Sequence, residues 1–173
     1  MTTNKAEIEL VLQPLIGLPL TKTTRADAMQ FFHFGKASIT NSSGLILDVG
    51  QYTLAVQDGW KIIKAGKELA KSDELFMPKE LFKADNFDWK VPGSSFGDQR
   101  LKNLVKHEAE NLTVTRIEAN EFGQLTLYFL NDVLLQIYPA DERIIKETDG
   151  NTFWRFFSNL NPEENYIYNS AVM

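Results

Sequence analysis

The stretch Gln124-Leu-Thr-Leu-Tyr-Phe-Leu-Asn-Asp-Val-Leu-Leu-Gln-Ile-Tyr-Pro139 decides the fold class. Apolar side chains recur with the two-residue period of a half-buried strand through Leu125 to Leu130 and again through Val133 to Tyr138. Asn131-Asp132 between them tolerate the positive φ of a tight turn, so the two runs are expected to fold back on each other. Upstream, Leu112 to Glu118 alternates in the same way and Gly123 marks a corner, which predicts a three-stranded antiparallel meander over residues 112–138. Downstream, Phe153-Trp-Arg-Phe-Phe157 and Tyr166-Ile-Tyr168 read as edge strands beyond an acidic loop, Pro139 to Gly150.

Working towards the N-terminus, Asp98 to Glu110 sets Leu101, Leu104 and Val105 on one helical face and Lys102 and Lys106 on the other, with an Asp at the start to cap free amides. This is the main predicted helix. Residues 72–95 hold Pro78, Pro92 and Gly93 and read as a long irregular connection with at most one helical turn near Pro78 to Phe82. Tyr52 to Gln57 alternates with Tyr52, Leu54 and Val56 inward, and Trp60 to Ile63 resumes the pattern after Asp58-Gly59. That dipeptide predicts a hairpin turn, with a bulge that bends one continuous strand as the alternative. Leu45 to Val49 is a short strand after a polar loop, Ser38 to Gly44. Met29 to Phe34 is a strand with Met29, Phe31 and His33 on one face and Phe32 and Phe34 on the other, and Ile8, Val11, Leu12 and Leu15 predict a short helix closed by Gly17 and Pro19, with a strand as the alternative. No linker divides the chain. The expectation is one α+β domain over 1–173 dominated by antiparallel sheet, with residues 1–4 disordered. An internal echo is visible: strand, turn, strand and then Trp followed by a basic residue occurs at Tyr52 to Trp60-Lys61 and again at Leu125 to Trp154-Arg155, which has two readings, a duplication whose two similar β-units pack together or an ordinary coincidence of β-patterns.

A chain of 173 residues buries roughly two thirds of the surface its unfolded form exposes and needs no staple. With no cysteine there are no disulfides, thiolate zinc sites or thiol nucleophiles, which fits a reducing compartment. The opening residues lack the basic-then-apolar pattern of a signal peptide and no apolar run approaches the ~20 residues of a membrane span, so a cytoplasmic, membrane-free protein is expected. A net charge of −5 disfavours nucleic acid as a partner, because neutralising phosphates with Lys and Arg supplies most of that affinity. The one Lys-dense stretch, Lys61 to Lys71, is interrupted by Glu68 and followed by Asp73-Glu74, as in a solvated face.

The Gly17-Leu-Pro-Leu20 entry, Arg25 ahead of a strand ending in Phe34-Gly35, Leu54-x-Val-Gln-x-x-Trp-Lys61, Asp73 with Pro78, and the closing meander with Trp154-Arg155 together resemble a family of small bacterial proteins in which a strand ends in Trp-Arg twice. The family carries no assigned activity or cofactor. This chain departs from it in having Lys61 at the first pair and a long insertion, Glu142 to Asn151, before the second.

Four residues stand out as binding candidates. Arg155 beside Trp154 can form a recognition pair, a ring platform with a bidentate donor, while the plainer reading puts the ring in the core and the guanidinium on Asp141 or Glu142. Trp60 and Lys61 carry the same two readings. Trp89, in the Pro-rich connection, either folds back as a lid on the core or lines a pocket. His33 and His107 do not pair at metal spacing, Asp85 to Asp88 lacks calcium-loop periodicity, and Ser94-Ser95 lacks the strand–turn–helix setting of a nucleophile elbow, so no metal, cofactor or catalytic residue is expected. The leading expectation is a non-enzymatic binding protein, immunity-like by analogy with other small acidic proteins, whose acidic surface meets a basic partner. The alternative is a small-molecule pocket or weak hydrolase using carboxylates among Asp73, Asp85, Asp88 and Asp98 near Trp89.

Overall fold

Strand pairing in the computed structural model, which describes residues 5–57, 59–80, 86–120, 123–138, 152–161, 163 and 165–169, repeats itself. Each half of the chain opens with a helix and runs into strands: α1 (Lys5–Val11), β1 (Leu20–Ala26), β2 (Met29–Phe34), β3 (Ala37–Thr40), β4 (Ile46–Val49), β5 (Tyr52–Val56), β6 (Gly59–Lys64) and β7 (Lys67–Lys71), then α2 (Phe96–His107), β8 (Arg116–Ala119), β9 (Leu125–Tyr128), β10 (Val133–Tyr138), β11 (Thr152–Ser158) and β12 (Asn165–Asn169). One five-stranded sheet has the order β1-β2-β5-β11-β12, the other β7-β6-β10-β9-β8, and every pairing is antiparallel. Each half therefore builds a three-stranded meander, β1-β2-β5 or β8-β9-β10, and lends its last hairpin, β6-β7 or β11-β12, to the meander of the other half. The helices cross over as well: α1 packs against β8 and α2 against β1.

Register makes the repeat specific. Trp60 lies opposite Ile137 in one sheet and Trp154 opposite Val56 in the other, so the two Trp-basic pairs of the sequence occupy matching positions. Alternation sends both rings inward, where each is fully buried in a core shared by the two sheets. Phe32 of the first sheet meets Trp60 of the second edge-on at 5.5 Å between centroids. The leads into β1 and β8 also bond to each other, Gly17 N to Val114 O at 2.8 Å and Leu20 N to Leu112 O at 2.8 Å.

The predicted meander is present, its first strand shortened to Arg116–Ala119 because 112–114 pairs with 17–20 instead. Asn131 and Asp132 take φ of 55° and 63°, as the tight turn requires. The hairpin expected at Asp58-Gly59 is not formed: β5 and β6 lie in different sheets, and β6 pairs with β10 and β7. Pairing with β10 sets Trp60 against Ile137 and Ile62 against Leu135, all buried, a gain that outweighs the local turn preference. Asp58 itself, residues 1–4 and the 139–151 loop fall outside the described residues. Of the polar loop expected at Ser38 to Gly44, residues 41–44 form the turn, while 38–40 belong to a strand, since Ala37–Thr40 pairs with Ile46–Val49 in a separate two-stranded sheet. That hairpin is an insertion of the first half, for where β2 meets β5 through residues 35–51 the matching β9 and β10 meet through Asn131-Asp132.

Helix α2 starts at Phe96, two residues before the sequence prediction, because Ser95 is the N-cap and Asp98 completes a capping box. Its Gly97 lies against the backbone of the 3-10 turn Ser72–Phe76; a Cβ there would sit 2.7 Å from Glu74 C and Leu75 N. Neither backbone atom can rotate aside, so Gly97→Ala should cost about 1–3 kcal/mol by overpacking despite alanine's higher helix propensity, and a denaturant melt will show the loss.

Candidate functional site: a groove between β1 and α2

Matching positions of the two halves differ most where the core is polar. In the first half the inward residues of β1 and β2 include the cross-strand pair Arg25 and Gln30, both buried. In the second half the corresponding pair on β8 and β9 is Ala119 and Leu125. A buried guanidinium and a buried amide in place of alanine and leucine cost desolvation, so each must find partners.

Arg25 engages four of its five N–H donors. Its Nε and Nη2 donate to the two oxygens of Asp98 at 2.8 and 2.5 Å, Nη1 to Asp27 O at 2.8 Å and Nη2 to Val91 O at 3.1 Å. Asp98 in turn accepts from Ser95 N and Gly93 N, at 3.2 and 3.0 Å. Burial works against ionisation of Asp98, but the guanidinium and the Ser95 amide and hydroxyl outweigh it and hold the carboxyl below its usual value. Arg25 thus fastens β1 to the N-terminal turn of α2 and to the loop ahead of it. Gln30 is different. Its Nε2 donates to Thr24 O at 2.8 Å, while Oε1 is buried without a partner among the described residues.

Around this pair opens a groove of about 500 Å³. One wall is five consecutive residues of β1, Thr21 to Arg25; the other is Asp98, Leu101, Lys102 and Val105, one face of α2 at i, i+3, i+4 and i+7, with Gln30 and Pro92-Gly93 completing it. Strand β1 is the outermost strand of its sheet. It joins β2 through the two-residue loop Asp27-Ala28, with Asp27 at φ 50°. In such a hairpin the closing pair Ala26 and Met29 exchanges both backbone hydrogen bonds, as does Thr24 with Phe31, so the N–H and C=O of Thr23 and Arg25 point away from β2. Among the described residues no backbone group is bonded to them on that side. The groove is therefore bounded by an open strand edge facing a helix.

The four sequence candidates lie elsewhere and are not brought together. Trp60 is core. Lys61, beside it on the outer face of the second sheet, has its ammonium 5.5 Å from the Tyr138 ring centroid. Arg155 is exposed on the outer face of the first sheet, its guanidinium 4.6 Å from the Phe157 ring, while Asp141 and Glu142 lie outside the described residues. Trp89 is half-buried, edge-on to Phe76 at 4.7 Å, and does not line the groove. Of the acidic candidates, Asp98 is committed to Arg25, Asp88 is exposed and accepts from Lys90 N at 3.0 Å, and Asp85 is outside the described residues. Asp73, in the 3-10 turn Ser72–Phe76, is half-buried and does not line the groove, and its neighbour Glu74 is buried and paired with Arg100. Among the described residues no group of three or more His, Asp or Glu is placed to hold a metal ion, and no helix is long and apolar enough to cross a membrane. Sequence reasoning missed the groove because Leu20 to Ala26 carries no apolar alternation; the signal available was Arg25 itself, an arginine just ahead of an aromatic strand. Comparison of the chain with protein-family models, with curated proteins and with solved structures finds no match.

Proposed function

We propose that this chain is a non-enzymatic binding protein that takes an extended segment of a protein partner into the groove between β1 and α2, the segment adding as a sixth strand next to β1. The observation that supports this most is the open edge at Thr23 and Arg25 facing a helix across a groove. Main-chain hydrogen bonds then supply affinity and the helix wall reads alternate side chains. The hydrolase reading is weaker, since Asp98, the carboxylate that lines the groove, is held ionised by Arg25 and is a poor general acid. The net charge of −5 favours long-range encounter with a basic partner, as the sequence led us to expect.

Selection from a displayed library of unstructured peptides about ten residues long, followed by backbone amide-shift mapping, tests the proposal. Selected peptides should shift Thr21 to Arg25 and the facing side of α2. Thr23→Pro removes an outward N–H that the sheet does not use, so it should leave the fold intact and abolish binding. Peptides that perturb only the outer faces around Lys61 or Arg155, or a Thr23→Pro variant that binds normally, would contradict the reading.

A further inference from the structure

Resting on strand addition at β1, we infer that the segment entering the groove carries acidic side chains, received by Lys22 on one face of the added strand and by Lys102 on the other. Charge in the groove has the opposite sign to that of the whole molecule. Of its lining residues Lys22, Arg25 and Lys102 are basic and Asp98 alone is acidic. The Arg25 guanidinium and the Asp98 carboxylate cancel within their own hydrogen-bonded pair, leaving the two lysines, one on each wall. Both are exposed, and neither is in an ion pair among the described residues. Lys22 stands on the outer face of β1 with its cross-strand neighbour His33, whose pKa it lowers as the second cause after burial.

Lysine ammonium groups on flexible stems accept a carboxylate in many orientations, whereas a fixed fork would demand one geometry. Acidic side chains at successive positions of the added strand, which alternate between its faces, would meet one lysine each while the backbone bonds to β1. A basic side chain on either face would meet an uncompensated like charge. Steering by the overall negative charge acts at long range and on the partner as a whole; at contact distance the two lysines decide which of its segments enters.

Two synthetic pools of acetylated, amidated peptides about ten residues long, identical except for Glu or Gln at the central positions, separate this inference from the reading beneath it. The Glu pool should bind at the Thr21 to Arg25 amides about tenfold more tightly than the Gln pool at low salt, the preference shrinking as salt rises. Lys22→Glu with Lys102→Glu should abolish the preference while the Gln pool still binds as it does to the wild type. Equal binding of both pools at β1 would overturn the inference and leave strand addition standing. Binding of neither pool at β1 would overturn both. Acetate alone shifting Lys22 and Lys102 as strongly as the Glu pool, with no response at β1 to the pool, would mean a free-anion site and would also overturn the inference.

Discussion

Trp154→Ala should destabilise the protein by about 3–5 kcal/mol, the loss expected for emptying a fully buried aromatic site, while Arg155→Ala should cost under about 1 kcal/mol. The two neighbours alternate across β11. The indole is fully buried, stacks on Tyr166 at 5.6 Å and donates Nε1–H to Gly123 O at 2.9 Å, a bond from the first sheet to the corner of the second meander. Truncation opens a cavity and also leaves that carbonyl unpaired. The guanidinium is exposed over Phe157, where a cation–π contact contributes little. Denaturant melts of both variants check this, and equal, large losses would place Arg155 in a buried network.

Arg25→Ala should lose a comparable amount, about 3–5 kcal/mol, because it strands a carboxylate that is only partly open to solvent. The side chains of Arg25 and Asp98 are 2% and 11% exposed. The response to pH distinguishes this from loss of packing. In the wild type the folded pKa of Asp98 is depressed, so its contribution is fully present above the unfolded value of about 4 and disappears only as pH falls through the folded value. Without Arg25 the desolvation that the pair now overcomes is left uncompensated, the folded pKa rises, and protonation relieves the strain. The gap between variant and wild type should therefore narrow as pH falls from neutrality towards about 4. A gap that stays constant over that range would mean the arginine acts through its bulk alone. Arg25→Ala with Asp98→Ala should recover part of the loss, since no unpaired charge remains buried.

What was legible in the sequence tracks the range of the interactions that set it. The meander over 112–138, the helix near 98–110 and the strand Met29–Phe34 are written in local periodicity and turn residues, and all three formed. The echo of Trp60-Lys61 and Trp154-Arg155 marked two similar β-units, and register places the two pairs in matching positions. Exchange of the hairpins was not legible, because a choice between pairing β6 with β5 or with β10 depends on Ile137 and Leu135 far along the chain. The local cue, Asp58-Gly59, favoured the wrong partner. Strand β1 was missed for a related reason: its inward residues are Thr23 and Arg25, and Arg25 becomes a core residue only by reaching Asp98, 73 positions away. A charged residue that belongs to the core through one distant partner has no periodic signature. The groove depends on β1 and has no signature without it, whereas the aromatic pairs that stand out in the sequence are divided by the fold between the core and two opposite outer faces.

Amide hydrogen exchange at Thr23 and Arg25 tests the central claim most directly. In the free protein the account predicts rapid exchange at these two amides, beside protected amides at Thr24 and Ala26, since alternate N–H groups of an edge strand face outward. Saturation with a bound peptide should bring Thr23 and Arg25 under protection while leaving the outer faces unchanged. Thr23 and Arg25 amides already protected in the free protein, or unaltered when a peptide binds, would contradict the account.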